Sequence, residues 1–184
     1  MDQRWDDARA AAYLRDFGEH ALNRLWLDHV TLPEHGFLLD VGCGGGASIK
    51  EALRKEKTIR ATGIDPTPFM INEARTALPR MDFYETGADR IPLPTDVVHV
   101  ALANCSAVHW PSIEDGLREI YRVLRPQGQL LVMEEAFSSQ DVEGQLNSPQ
   151  DLPKRLKEAK FHVLEHGHHN REGESYWATL AQKP

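Results

Sequence analysis

Residues 37–48, Phe-Leu-Leu-Asp-Val-Gly-Cys-Gly-Gly-Gly-Ala-Ser, constrain the fold more than any other stretch of the chain. An apolar run with an acid near its end, then Gly42, Gly44, Gly45 and Gly46, then helix-forming residues, reads as strand, tight turn and helix. Glycine reaches backbone angles that a Cβ forbids and lets a ligand approach bare main chain. The amides that open the following helix lack intrahelical acceptors and point towards such a ligand. Gly42, Gly44 and Ala47 also fit the G-x-G-x-x-G/A spacing of dinucleotide-binding turns.

Asp40 discriminates between the ligands of such a turn. A diphosphate beside it would meet like charge, whereas a ligand carrying an ammonium and a sulfonium is attracted. The turn therefore suits S-adenosylmethionine better than NAD. Asp65 follows a second apolar run, 59–64, and stands 23 positions beyond Gly42. An acid about that far on accepts hydrogen bonds from ribose hydroxyls. It can also cap the next helix, and the two roles are compatible.

The other elements follow from periodicity. Leu14, Phe17, Ala21 and Leu25, with Leu22 and Trp26 beside them, predict an amphipathic helix over 6–29, broken at Gly18. Preceding the first strand, it is expected to cover the ligand cleft or a sheet edge, with Trp5 and His20 as candidates for a cavity wall. Strands are predicted over 37–41, 59–64, 81–85, 97–103 and 129–135, and helices over 47–55, 69–78, 112–124 and 151–159. The third of these helices stops at Pro126-Gln127-Gly128. This alternation predicts a Rossmann-like α/β fold, a mostly parallel sheet with helices on both faces. The runs 162–165 and 176–182, joined by a histidine-rich turn, predict an antiparallel edge hairpin. The polar stretch 136–150 reads as a loop or short insertion.

With 184 residues the chain suits one domain, with 1–32 as a helical cap and 33–184 as the core. A net charge of −7 works against tight sequence-independent binding to nucleic acid or anionic membrane. The charged first residues and the lack of a spanning run predict a soluble cytoplasmic protein. Cys43 and Cys105 form no Cys-x-x-Cys pair and are expected to be small buried side chains.

Four motifs in this order, Leu39-Asp40-Val41-Gly42-Cys43-Gly44-Gly45-Gly46, Gly63-Ile64-Asp65-Pro66, Gly87-Ala88-Asp89-Arg90-Ile91-Pro92 and Arg122-Val123-Leu124-Arg125-Pro126-Gln127-Gly128, resemble those of the class I S-adenosylmethionine-dependent methyltransferases. The likeness covers nearly the whole chain, and small stand-alone bacterial members look most similar. It implies a seven-stranded sheet in the order 3-2-1-4-5-7-6 with strand 7 antiparallel. It also implies that the backbone of Gly42, Cys43 and Gly44 lies under the methionyl part and ribose, and that Asp40 helps to hold the ammonium. Asp65 would take the ribose hydroxyls. Pro66 and Met70 would pack on adenine, Ala88 and Asp89 would meet its edge, and Asn104 would serve near the amino acid end. Two stretches depart from the pattern. Residues 95–99 are shorter than usual, with His99 where an acid often stands. Asn104-Cys105-Ser106-Ala107 is not the Asn-Pro-Pro-aromatic arrangement of amide and adenine methylases, which disfavours a DNA adenine methylase.

Methyl transfer from a sulfonium is an in-line displacement that needs alignment in a dry cleft and no metal. A hydroxyl or ammonium acceptor needs a base, and histidine is readily poised for that near neutral pH. His109, after the fourth strand, is the first catalytic candidate; Glu134 and Glu135, closing the fifth, are next. Tyr13, Trp110, Tyr176 and Trp177 are aromatic candidates for an acceptor wall, where cation-π attraction favours an amine. His166, His168 and His169 suggest a metal cluster, but a few adjacent residues rarely complete one; an exposed, solvated turn without a metal is expected. Three function classes stay open: a small-molecule methyltransferase, an NAD-dependent oxidoreductase, and a non-catalytic partner protein that keeps the cofactor pocket. The acceptor and the oligomeric state are not read from the sequence.

Overall fold

The computed structural model describes residues 4–135 and 148–184, so most of the loop expected over 136–150 lies outside the described residues. At its centre is β1 (Phe37–Val41), buried at every position but Phe37, as suits a strand covered on both faces. Parallel pairing extends it to β2 (Arg60–Asp65) and β3 (Asp82–Glu85) on one side. On the other side lie β4 (Val98–Asn104) and β5 (Leu124–Glu135). The antiparallel hairpin of β6 (His162–Arg171) and β7 (Glu174–Gln182) completes the order β3-β2-β1-β4-β5-β7-β6. This is the order that the resemblance implies.

Strand alternation divides the core between the two faces. Leu39 and Val41 pack with Leu117 and Ile120 of α5 (Ile113–Val123) and Leu156 of α6 (Leu152–Glu158). On the opposite face Leu38 meets Ile49 of α3 (Ala47–Lys55), Ile71 of α4 (Pro68–Ala77) and Trp26. The ends of α5 follow helix-capping chemistry. Ser112 Oγ accepts from Asp115 N–H at 3.1 Å, and Glu114 and Asp115 stand in the first turn, where the helix dipole favours acids.

The N-terminal cap is two pieces, α1 (Asp7–Phe17) and α2 (Leu22–Leu25), the second running into a 3-10 turn, Trp26–Asp28. The break falls at Gly18, as expected, and Asn23 Nδ2 donates to the carbonyls of Phe17 (3.0 Å) and Gly18 (3.3 Å) across it. The bend redistributes burial. Leu22, Leu25 and Trp26 are sealed against the sheet, whereas Phe17 stays 37% exposed.

Two boundaries differ from the sequence reading. β5 begins at Leu124 rather than 129, because a register shift between Val98 and Val100 lets Leu124 pair with Val98. There Gln127 N–H donates to Lys183 O (2.9 Å) and Lys183 N–H to Gly128 O (2.9 Å), so Pro126-Gln127-Gly128 is held beside the sheet. The histidine-rich segment is strand rather than turn: β6 continues to Arg171, and Glu172 and Gly173, both with positive φ, make the reversal. Alternation then places His166 and His168 opposite Thr179 and Trp177 on one face, and His169 opposite Tyr176 on the other. The three histidines cannot share one ion.

Candidate functional site

The glycine turn after β1 is held by its own amides. Gly42 and Cys43 N–H both donate to Ile64 O (2.8 and 3.0 Å), and Gly46 N–H donates to Cys43 O (2.9 Å). Gly44 N–H donates to Asp65 Oδ2 (3.1 Å), while Asp65 Oδ1 accepts from Thr67 N–H (2.8 Å). One carboxylate thus joins the turn to the start of α4, and each oxygen keeps acceptor capacity. Gly42 has φ of 78°, and a Cβ there would come within 2.4 Å of Ser106 Cβ. Ser106 Oγ donates to Val41 O at 2.5 Å, so the loop after β4 is locked against the turn.

A cleft opens over this junction. Gly42, Gly44, Asp65, Pro66, Met70 and Ala88 line it together with Asn104, His109 and Trp110, and Trp5 and Tyr13 join them from the cap. α1 also covers the turn directly, since a Cβ on Gly45 would lie 3.0 Å from Leu14 Cδ2. Trp5 N–H donates to Thr67 Oγ1 (3.3 Å), and the Trp5 ring meets Tyr13 and His109 edge-on at 5.2 and 5.4 Å. Asn104 Nδ2 donates to Leu22 O (3.1 Å) and Ser48 Oγ (3.2 Å), tying α2 to α3 and the end of β4.

The site is acidic beneath and aromatic above. Burial, then the charge of Asp65, pushes the Asp40 carboxyl up to about 7. Burial also raises Asp65, opposed by the amides of Thr67 and Gly44. Glu134 is 1% exposed. Its Oε1 accepts from Ala107 N–H (2.9 Å) and Val108 N–H (3.3 Å). Burial pushes this carboxyl up to about 8, and its Oε2 has no hydrogen-bond partner among the described residues. Glu134 therefore supports from behind the 3-10 turn Ala107–His109, which presents His109 to the cleft.

Of the residues singled out in the sequence, Gly42, Gly44, Asp65, Pro66, Met70, Ala88, Asn104 and His109 line the cavity. Four do not. Asp40 is buried behind the turn. The Cys43 side chain points into the core, where a Cβ on Gly63 would meet its Sγ at 2.7 Å. Asp89 is exposed on a turn, and Glu135 has His20 of the cap and Glu174 as neighbours. Tyr176 and Trp177 also lie elsewhere, against His29 and His166. Thr67, Thr86 and Ser106 line the cleft without having been singled out. Thr67 carried a signal, two positions after Asp65 in a capping arrangement.

Comparison with known proteins decides the family. Residues 39–132, half of the chain, match the family described as methyltransferase domain. The chain belongs to that methyltransferase family. This methyltransferase-domain chain is similar to trans-aconitate 2-methyltransferase of Escherichia coli, 35% identical over 106 residues, covering 58% of the chain and 42% of the relative. It is also similar to demethylmenaquinone methyltransferase of Chlorobaculum parvum, 30% identical over 97 residues, covering 53% and 40%. It thus spans less than half the length of these relatives. Among solved structures, a SAM-dependent methyltransferase from Aquifex aeolicus shares the fold, with TM-score 0.78 and 18% identity over 98% of this chain and 100% of that one.

Proposed function

We propose that this chain is an S-adenosylmethionine-dependent methyltransferase acting on a small organic acceptor. The observation that carries this reading is the state of the glycine turn. Its amides at Gly42, Cys43, Gly44 and Gly46 are taken by protein acceptors, Leu14 covers Gly45, and two buried acids lie beneath. A dinucleotide diphosphate needs free amides, and Asp40 behind the turn would set like charge against it, so NAD fits poorly. A cationic ligand with a vicinal diol fits the same residues: Asp65 keeps acceptor capacity for ribose hydroxyls, and Asp40 favours an ammonium. Pro66, Met70 and Ala88 would hold the adenine and Asn104 the amino acid end.

Bound S-adenosylmethionine would supply an electrophilic methyl carbon. The chain's own residues orient the acceptor and keep water out. Trp5, Tyr13 and Trp110 close an aromatic wall around the acceptor side, and His109 Nδ1 or Nε2 would take the acceptor's proton. Glu134 acts as a positioning residue, because its carboxyl fixes two amides of the turn that carries His109. The relatives' names, for trans-aconitate and demethylmenaquinone, support an organic acceptor. The net charge of −7 is in keeping with a protein that does not bind nucleic acid. A cytoplasmic single domain is part of the same reading; no helix among the described residues is long and apolar enough to cross a membrane.

Calorimetric titration with S-adenosylhomocysteine, with NADH in parallel, tests the proposal. Saturable binding of the thioether, lost in Asp65→Ala and absent for NADH, is the expected result. NADH binding alone would reverse the assignment. An acceptor screen with radiolabelled methyl donor then separates an enzyme from a chain that binds and transfers nothing.

A further inference from the structure

A second cluster lies away from the cleft, where the cap meets the sheet edge. We propose that His29, Glu165 and His169 bind one Zn²⁺ ion that clips the N-terminal cap to β6. His29 closes the 3-10 turn Trp26–Asp28, while Glu165 and His169 stand on one face of β6, with Gly167 between them. One ligand atom from each of the three lies within 4.8 Å of the others. Glu165 Oε1 is 3.9 Å from His29 Nδ1 and 3.8 Å from His169 Nε2. Tetrahedral ligands about 2.0–2.1 Å from zinc lie roughly 3.3–3.4 Å apart, so the carboxylate has to close by about half an ångström on each histidine, and the two imidazole nitrogens, within 4.8 Å of each other, have to draw together.

Three observations favour an ion over a plain ion pair. His169 Nε2 is buried and has no hydrogen-bond partner among the described residues, a state that costs free energy unless something satisfies the nitrogen. Gly167 keeps the space beside it clear of a side chain, since a Cβ there would touch that nitrogen at 3.4 Å. The other nitrogen of His29 is already engaged, with Nε2 3.2 Å from Tyr176 Oη. This leaves Nδ1 for a metal and supplies the outer hydrogen bond that fixes a ligating imidazole. The rings are held as well, His169 stacked on Tyr176 at 5.4 Å and His29 edge-on to His169 at 4.7 Å.

The surroundings suit a divalent cation. Arg171, the nearby positive group, is taken by Asp28 at 3.2 Å. Glu165 is half-exposed, which gives an ion entry and leaves a fourth position for water. Two imidazoles with one carboxylate is an established zinc donor set. His166 and His168, on the opposite face, pack against Trp177 and take no part.

The test uses the full chain freed of metal by chelator. Titration with ZnCl2, followed by calorimetry and by the melting temperature, is expected to show one equivalent bound and a rise in melting temperature. Co²⁺ in its place is expected to give the visible absorption of a tetrahedral nitrogen and oxygen site. His29→Ala and His169→Ala are expected to abolish binding, Glu165→Gln to weaken it at least tenfold, and Tyr176→Phe by about 10- to 100-fold. His168→Ala should leave it unchanged. Should a histidine variant fail to fold, Glu165→Gln, at a half-exposed side chain, decides the question. Absence of saturable binding, or equal binding by wild type, Glu165→Gln and His169→Ala, would overturn the proposal.

Discussion

His109 and Glu134 meet at one turn, the first on its cavity side and the second behind its amides. His109 lines the cavity, so His109→Ala is expected to slow methyl transfer while leaving the affinity for S-adenosylhomocysteine within about twofold; turnover and calorimetric titration check the split. Glu134 is outside the wall, and its effect runs through the amides of Ala107 and Val108. Glu134→Ala leaves both buried donors unpaired, at about 1–3 kcal/mol each. Glu134→Gln keeps an acceptor and is expected to retain more of the stability and turnover. Equal losses in the two variants, by thermal melting and activity, would contradict a positioning role. Asp40 was legible as an acid before a glycine turn, but its burial, which moves its titration to about 7, was not. Desolvation depends on what packs around a residue.

At the scale of elements, the cap shows what a bend does to an amphipathic pattern. The spacing of Leu14, Phe17, Ala21 and Leu25 suggested one stripe, yet the break at Gly18 turns the second piece so that Leu22, Leu25 and Trp26 carry the burial. Trp26→Ala is therefore expected to destabilise the fold by about 3–5 kcal/mol. Phe17→Ala, at a 37% exposed position, should cost less than about 1 kcal/mol. Denaturant unfolding of both variants measures the difference. The hairpin makes the complementary point. Its sequence placed the histidines in a turn, but β6 carries them through an extended run, and strand alternation separates His169 from His166 and His168. A local cluster in sequence became two faces in space.

For the whole molecule, the two deeply buried acids set a pH dependence. Asp40 and Glu134 titrate at about 7 and about 8 in the folded chain, against roughly 4 when unfolded. The native state therefore holds protons that the unfolded chain has released, and the contribution of these groups is greatest in acid and is lost as pH rises through 7 and 8. Each lowers stability by about 1.4 kcal/mol per pH unit while only its unfolded form is ionised. Glu134→Gln should flatten the fall in unfolding free energy between pH 5 and 7 by about that slope, as denaturant titrations at several pH values would show. The strands and helices, the glycine turn and Asp65 at the second strand's end were legible because each rests on local periodicity or on contacts between near neighbours, whereas the strand order came with the family resemblance. The aromatic cover from Trp5 and Tyr13, the support of His109 by Glu134 and the meeting of His29 with Glu165 and His169 were decided only by tertiary structure. These contacts join residues far apart in the chain, and no periodicity records which distant side chains the packed sheet and cap will bring within a hydrogen bond of each other.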